Sequence, residues 1–245
     1  MLVKRDLQQL YTKYRLGYLW TIIEPLGMSL VLWFVFTALL GPRKLGLQPY
    51  LLFLTIAILP WWWFTKGISS CARAFAKNKR QLRVSLLPTE LWVLRILLTT
   101  MMEFILSLPV IGLAMLVTRT MPGPLIILYP VAMALQFLLM YGVGLLVASW
   151  VIVVPDMGRI VRIVMRALFY LTPVLYSISN IPEHLRQYAA LNPLVAPIGL
   201  YRIGFWPDEH EALLPFVVSL SLCLITLLVG ILVFRRLESR ILKEV

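Results

Sequence analysis

Cysteine, histidine and acidic side chains are all scarce in this chain of 245 residues, which carries two, two and eleven of them. Two cysteines cannot make a disulfide framework, and Cys71 and Cys223 fall where different surroundings are expected, so they are not expected to pair. His184 and His210 have no neighbouring ligand at metal-binding spacing, so no metal centre is indicated. No phosphate-binding GxxxxGK[ST] occurs. The nearest approach, Gly41 to Gly46, is followed by Leu47. No serine has a histidine beside it to act as its base. The carboxylates Glu183, Asp208, Glu209 and Glu211 show no pairing that would mark a glycosyl-transferring or hydrolysing dyad, and read as surface acids. Catalysis and nucleotide binding by this chain are therefore not expected.

Hydrophobic residues, at 60% of the total, are what the chain has in excess. They gather into six runs: Leu26 to Leu40, Tyr50 to Phe64, Leu91 to Val117, Leu125 to Val154, about Ile163 to Ile178, and Leu213 to Phe234. Pro109 lies inside the third run, and Thr172-Pro173 breaks the fifth. A helix needs roughly 20 residues to cross the hydrocarbon of a bilayer, so short runs must borrow flanking residues and long ones must tilt. The expected fold is an all-α integral membrane protein with six transmembrane helices, built as a single domain over residues 1–245. It has an amphipathic interface helix at the start and re-entrant helices between spans five and six.

Basic residues set the orientation. Seventeen of the 23 Lys and Arg lie in the N-terminal stretch, the second-to-third connection, the fourth-to-fifth connection and the C-terminal tail, against five in the alternate connections. Arg95 lies inside the third run. That imbalance predicts both termini on the cytoplasmic side. The formal net charge of +12 is then explained by contact with anionic lipid headgroups. Nucleic acid is not an expected partner, because no basic soluble domain is present. The start of the chain is polar and amphipathic rather than a cleavable signal peptide.

Three segments outside the spans stand out. Residues 1–18 place Val3, Leu7, Leu10, Tyr11, Tyr14 and Tyr18 on one helical stripe, with Lys4 and Arg5 among the charges off it. Such a helix should lie along the interface, as an anchor or as a collar for a soluble partner. Residues 67–90 form the largest cytoplasmic connection. There Ser69 or Ser70 could cap a helix through Arg73, Phe75, Lys77 and Arg80, with Arg83 beyond it and Pro88 opening the third span. Residues 179–212 form the largest external connection. It is too apolar for a free loop and too rich in Pro and Gly for a seventh span, so short helices dipping into the outer leaflet are expected.

Ionisable and aromatic residues inside the runs are the candidates for a pathway. Glu103 lies two helical turns from Arg95, too far to touch it on one straight helix. It must face a polar cavity or another helix. Glu24 precedes Pro25 at the start of the first run. Trp61, Trp62, Trp63 and Phe64 are consecutive and point about 100° apart. They cannot all line one channel, and most are expected to be belt or packing residues. A glycan channel would use such rings as low-specificity contacts for the C–H faces of sugars.

The order of short motifs resembles the membrane subunits of type-2 ABC exporters of lipid-linked polysaccharide, which include O-antigen, teichoic-acid and galactan exporters. Lys4-Arg5-Asp6-Leu7 through Tyr14-Arg15 to Leu16-Gly17-Tyr18-Leu19-Trp20 is similar to that family's basic entry helix and LGYLW signature. Glu24-Pro25-Leu26 departs from its usual Gln-Pro-Leu. Leu59-Pro60-Trp61 with Phe64, Leu86 to Leu91, Thr172 to Tyr176, Ile181-Pro182, Leu191 to Leu194 and Tyr201-Arg202 complete the set. The resemblance covers nearly the whole chain.

The resemblance implies two copies of this chain with two copies of a cytoplasmic ABC ATPase, which binds ATP and Mg while this chain binds no cofactor. It implies a channel between the copies, for which Trp61, Trp62, Phe64, Tyr141, Phe169, Tyr170, Tyr176 and Glu103 are candidates. Lys4, Arg5, Tyr11 and Tyr14 of the entry helix, with Arg73, Phe75, Lys77, Arg80, Arg83 and Asp156, would meet the ATPase. Pro173, Pro182, Asn192, Pro193, Tyr201 and Arg202 would form a periplasmic gate. The cargo would be a lipid-linked polysaccharide drawn from the membrane. The alternatives are a drug or lipid exporter of the same superfamily, a membrane glycosyltransferase, and an ion-coupled carrier using Glu103.

Overall fold

The computed structural model describes residues 17–39, 46–75, 88–207 and 213–244, and these are almost wholly helical. A short 3-10 turn, Gly17–Leu19, leads into α1 (Trp20–Phe34), which runs on as a π-helical turn, Val35–Leu39. Then come α2 (Tyr50–Cys71), α3 (Glu90–Ser107), α4 (Pro109–Thr118), α5 (Tyr129–Val153), α6 (Met157–Leu171), α7 (Glu183–Ala189), α8 (Val195–Arg202) and α9 (Leu213–Glu244).

Five segments are long and apolar enough to cross a membrane: Trp20–Leu39, Tyr50–Cys71, Glu90–Thr118, Pro124–Val153 and Phe216–Ile241. Six were expected. The fifth run folds as α6, which starts near 157 rather than 163 and has 15 residues. At 1.5 Å per residue that is roughly 22 Å, short of a bilayer's hydrocarbon. The run ends where the sequence said it would break. A proline's ring disfavours the helical conformation in the residue before it. Thr172, ahead of Pro173, is accordingly extended, with φ −91° and ψ 138°.

Pro109 interrupts the third run differently, since Leu108 before it keeps helical angles, φ −55° and ψ −30°. Lacking an N–H, it cannot donate to the Ile105 carbonyl, which takes the Leu108 N–H instead at 3.2 Å. α3 therefore stops at Ser107 and α4 restarts with Pro109 in its first turn. Ser69 and Ser70 do not cap a new helix: both lie within the last turn of α2, which continues to Cys71.

α2 is the centre of the bundle. Within its apolar window 83% of residues are buried, against 11% for α1 and 17% for α9, so α2 is wrapped and the other two are peripheral. A helix that is apolar all round must be enclosed in this way or face lipid. α5 and α9 pack along most of their length, and Gly142 and Gly230 allow it. A Cβ on Gly142 would stand 2.6 Å from the Leu227 Cα, and one on Gly230 would run into the Gly142 carbonyl. Only hydrogen fits at this crossing, the usual route to close helix approach in a membrane.

Two ends can be distinguished. At the basic end the start of α3 meets the end of α9: the Thr89 hydroxyl donates to Glu238 at 2.7 Å, and Arg235 lies 3.7 Å from Glu90. At the opposite end the Trp206 indole N–H donates to the Gln48 carbonyl at 3.1 Å, and the Gly123 N–H to Gly204 at 2.7 Å. The external connection forms two short helices. α8 is buried against α5 and α2, whereas α7 leaves no residue buried.

Candidate functional site

After Thr172 the backbone leaves helical geometry, so the carbonyls of 174–176 need donors from elsewhere. Arg202 supplies two of them. Its Nη2 donates to Val174 at 2.9 Å and its Nη1 reaches Tyr176 at 3.5 Å. The Tyr50 hydroxyl takes the Leu175 carbonyl at 2.9 Å. Arg202 is only 4% exposed, and its guanidinium carbon stands 3.6 Å from the centre of the Phe53 ring. A buried cation is tolerated when carbonyl dipoles and an aromatic face replace its water, as they do here.

Asn192 ties the next turn to the same break. Its Nδ2 donates to the Thr172 hydroxyl at 2.8 Å, while its Oδ1 accepts the Leu194 N–H at 3.0 Å. α9 then holds the turn from behind. The Ser219 hydroxyl donates to the Asn192 carbonyl and accepts the Ala196 N–H, both at 3.0 Å, and the Cys223 thiol donates to the Pro193 carbonyl at 3.0 Å. Tyr201, fully buried, packs on Tyr129 with ring centres 4.6 Å apart. Burial, reinforced by Tyr129, pushes its phenol pKa well above the ordinary value, so the ring stays neutral. Five of the six gate candidates thus come together: Pro173, Asn192, Pro193, Tyr201 and Arg202. Pro182 does not join them; it precedes α7 and is exposed.

A second feature lies between α1, α2 and α3. It is a groove of about 380 Å³ bordered by Thr21, Glu24, Trp62, Lys66, Ser69 and Glu103, among others. Glu103 is 6% exposed, and its carboxylate lies 2.9 Å from the Lys66 ammonium. Lys66 keeps 55% of its side chain exposed. The intramembrane acid therefore does pair with another helix.

The remaining aromatic candidates do not share this groove. Trp61 and Phe64 are buried, with Trp61 against Phe169 at 5.5 Å and Phe64 at 5.9 Å. Trp63 stacks on Phe104 at 4.8 Å. Tyr141 is half-buried on α5, and Tyr170 is exposed on α6, where its carbonyl accepts the Tyr176 hydroxyl at 3.0 Å. Of the three consecutive tryptophans, Trp62 and Trp63 border the groove and Trp61 does not.

Near the basic end, Arg73 is exposed just past α2, and Asp156 is exposed 3.8 Å from Arg159. Phe75 is turned inward instead: it is 2% exposed and packs on Phe234, ring centres 6.2 Å apart. Lys77, Arg80 and Arg83, with Lys4, Arg5, Tyr11 and Tyr14, lie outside the described residues. Among the described residues no group of His, Cys, Asp and Glu could hold a metal ion.

Residues 1–206 match the sequence model of the ABC-2 type transporter family. The chain belongs to that family. It is 25% identical to an O-antigen export system permease protein, RfbA, of Klebsiella pneumoniae, over 98% of this chain and 92% of that one. It is 26% identical to RfbA of Myxococcus xanthus, over 90% and 86% of the two chains. It is also 22% identical to the polysialic acid transport protein KpsM of Escherichia coli, over 97% and 92%.

Several residues that build this ABC-2 bundle were not singled out by sequence reasoning. Lys66 was counted only as a loop charge, although it stands two residues past the aromatic cluster and within the helix. Tyr50, Phe53, Ser219 and Cys223 act on residues more than a hundred positions away or on a turn in another segment, and no local pattern marks them. Gly142 and Gly230 did leave a signal, as glycines inside long apolar runs.

Proposed function

We infer that this chain is the membrane-spanning channel subunit of an ATP-driven exporter that moves a lipid-linked polysaccharide out of the cytoplasm. The observation that carries this reading is near-full-length similarity to permeases named for O-antigen export and for polysialic acid transport. The working unit is two copies of this chain with a separate ABC ATPase that holds ATP and Mg. Both termini face the cytoplasm, as the distribution of Lys and Arg favours. α6, extended by residues 172–178, completes a sixth crossing, and α7 and α8 dip back from the outer surface.

The proposed cycle starts at the basic end. The ATPase dimer closes and pushes on residues 73–90 and on the exposed turn at Asp156. The start of α3, joined to α9 through Thr89–Glu238, shifts with it. Opening at the far end requires the Arg202 and Asn192 contacts to let go of residues 172–176. The carrier lipid enters sideways from the bilayer and the glycan follows.

Reconstitution tests this directly. The chain and its ATPase, placed together in sealed vesicles, are expected to move a lipid-linked glycan across the bilayer only when ATP is supplied. The chain alone is expected neither to hydrolyse ATP nor to move the glycan. Transport without the ATPase, or transport of drugs or phospholipids in place of glycan, overturns the reading.

A further inference from the structure

The groove between α1, α2 and α3 is walled by helices that belong to three of the segments long and apolar enough to span a membrane. Thr21, the second residue of α1, and Ser69, in the last turn of α2, both border it. Just past that end of α2, Phe75 packs on Phe234 of α9, the neighbour of Arg235. The groove therefore opens at the basic end of the bundle, and from Ser69 to Leu59 it runs roughly 15 Å inward. One of its walls, α1, is peripheral, with 11% of its apolar window buried, so little protein separates the groove from the bilayer.

Both signs of charge stand on these walls. Lys66 lies 2.9 Å from Glu103 and still has 55% of its side chain exposed. Glu24 is exposed roughly 6 Å into α1. Among the described residues no cation pairs with it. A carboxylate within a spanning helix is costly unless a cation or water answers it. The Trp63 side chain is 3% exposed, and its indole N–H has no acceptor among the described residues. The hydroxyls are committed the other way. Thr65 donates to the Trp61 carbonyl at 3.1 Å, Thr100 to Leu97 at 3.0 Å and Ser107 to Phe104 at 2.7 Å. Their hydrogens are spent on the helices, and only lone pairs are left for a ligand.

These groups select among ligands. A simple anion would satisfy Lys66 and the indole but meet two carboxylates. A simple cation would satisfy Glu24 but meet the Lys66 ammonium and leave the indole N–H without an acceptor. A neutral sugar brings no charge for either. A phosphate joined by a short link to an ammonium matches all of them, and the neighbouring bilayer is its source.

We propose that this groove holds the headgroup of a zwitterionic phospholipid, its phosphate toward Lys66 and the Trp63 indole and its primary ammonium toward Glu24. A primary ammonium is preferred over a trimethylated one, because its N–H groups can donate to the carboxylate and to the hydroxyl oxygens. The site requires only that α1, α2 and α3 span the membrane, and it is independent of the cargo.

Native mass spectrometry of the purified permease–ATPase complex, titrated with phospholipids of matched chains, tests this. One phosphatidylethanolamine should be retained per copy of this chain. It should be held roughly tenfold more tightly than phosphatidylcholine or phosphatidylglycerol, the ratio that one charge-assisted hydrogen bond supplies. Glu24→Gln should abolish the preference, and Glu24→Lys should turn it toward phosphatidylglycerol. Both change an exposed side chain, so the complex should melt as the native one does. Ser69→Trp, which fills the mouth without altering charge, should lower retention of phosphatidylethanolamine. Glu183→Gln, outside the groove, should leave it unchanged.

Equal retention of the three lipids by the native chain overturns the proposal. So does a phosphatidylethanolamine preference that survives Glu24→Gln or Ser69→Trp. Binding of free glycerophosphoethanolamine without any preference among the intact lipids overturns it too, since the ligand would then be a soluble zwitterion. The measurement reads lipid retention alone, so its failure leaves the transport reading standing, and a failure of glycan export leaves the lipid site standing.

Discussion

The two ends of this bundle are fastened in opposite ways. At the end opposite the basic one, Tyr50, Asn192, Arg202, Ser219 and Cys223 all reach across elements to hold one irregular stretch of backbone. Most of these groups are buried, so each bond replaces water that cannot enter. At the basic end the start of α3 is joined to α9 by a hydroxyl–carboxylate bond and a loose ion pair, with 69% of the Arg235 side chain exposed. Exposed pairs contribute little, commonly under about 1 kcal/mol. Loosening one end requires several buried contacts to break together, while the other is held by little.

The largest effect should come from the buried cation. Arg202→Met keeps bulk but leaves the Val174 and Tyr176 carbonyls without their donor, and should cost about 3 kcal/mol or more. A drop of several degrees in the melting temperature of the purified complex, with loss of export, is expected; unchanged melting would mean that the clamp is not needed for the closed form.

Next is the groove, where the two partners of one ion pair should respond unequally. Lys66→Met removes the cation beside a carboxylate that is 6% exposed, whereas Glu103→Gln leaves behind an ammonium that is half in solvent. The lysine change should therefore destabilise more than the glutamate change, and the reverse ranking in thermal unfolding would contradict this burial pattern.

Asn192→Ala removes the bond to Thr172 and the turn contact at Leu194, an effect of about 1–2 kcal/mol. It should raise the protease sensitivity of residues 172–194 while leaving the basic end intact. Smallest of all, Glu90→Gln should move the melting temperature by less than the error of most measurements, since it loosens only the 3.7 Å pair with Arg235. Its expected signature is a change in how strongly cargo stimulates ATP hydrolysis. A large stability loss from Glu90→Gln would erase the contrast between the two ends.

What could be read in the chain beforehand depended on how local its cause was. The break at Thr172-Pro173 follows from the steric rule for a residue before proline, and it appears where expected. The stop and restart at Pro109 were not foreseen, although the proline was noted inside the third run. Arg202, Asn192 and Tyr201 were placed at a gate by the order of motifs, but their partners were hidden because Phe53, Tyr50 and Ser219 belong to distant helices. The start of α6 was missed because Ile160 and Val161 were read as part of a polar connection dominated by Arg159 and Arg162. The same amphipathic pattern that blurred the hydrophobic run is what gives α6 its two faces. Phe75 was grouped with its charged neighbours, and only tertiary packing on Phe234 turns it inward.

The crossing of α5 and α9 at Gly142 and Gly230 has one more implication. α9 is a single helix of 32 residues that carries Glu238 near one end and Ser219 near the other. Along that rod Gly230 stands roughly 12 Å from Glu238 and 16 Å from Ser219. With backbone resting on backbone there, no soft side chain can absorb a tilt. Any rocking of the rod about this fulcrum swings the serine opposite to the glutamate, and by about a third more.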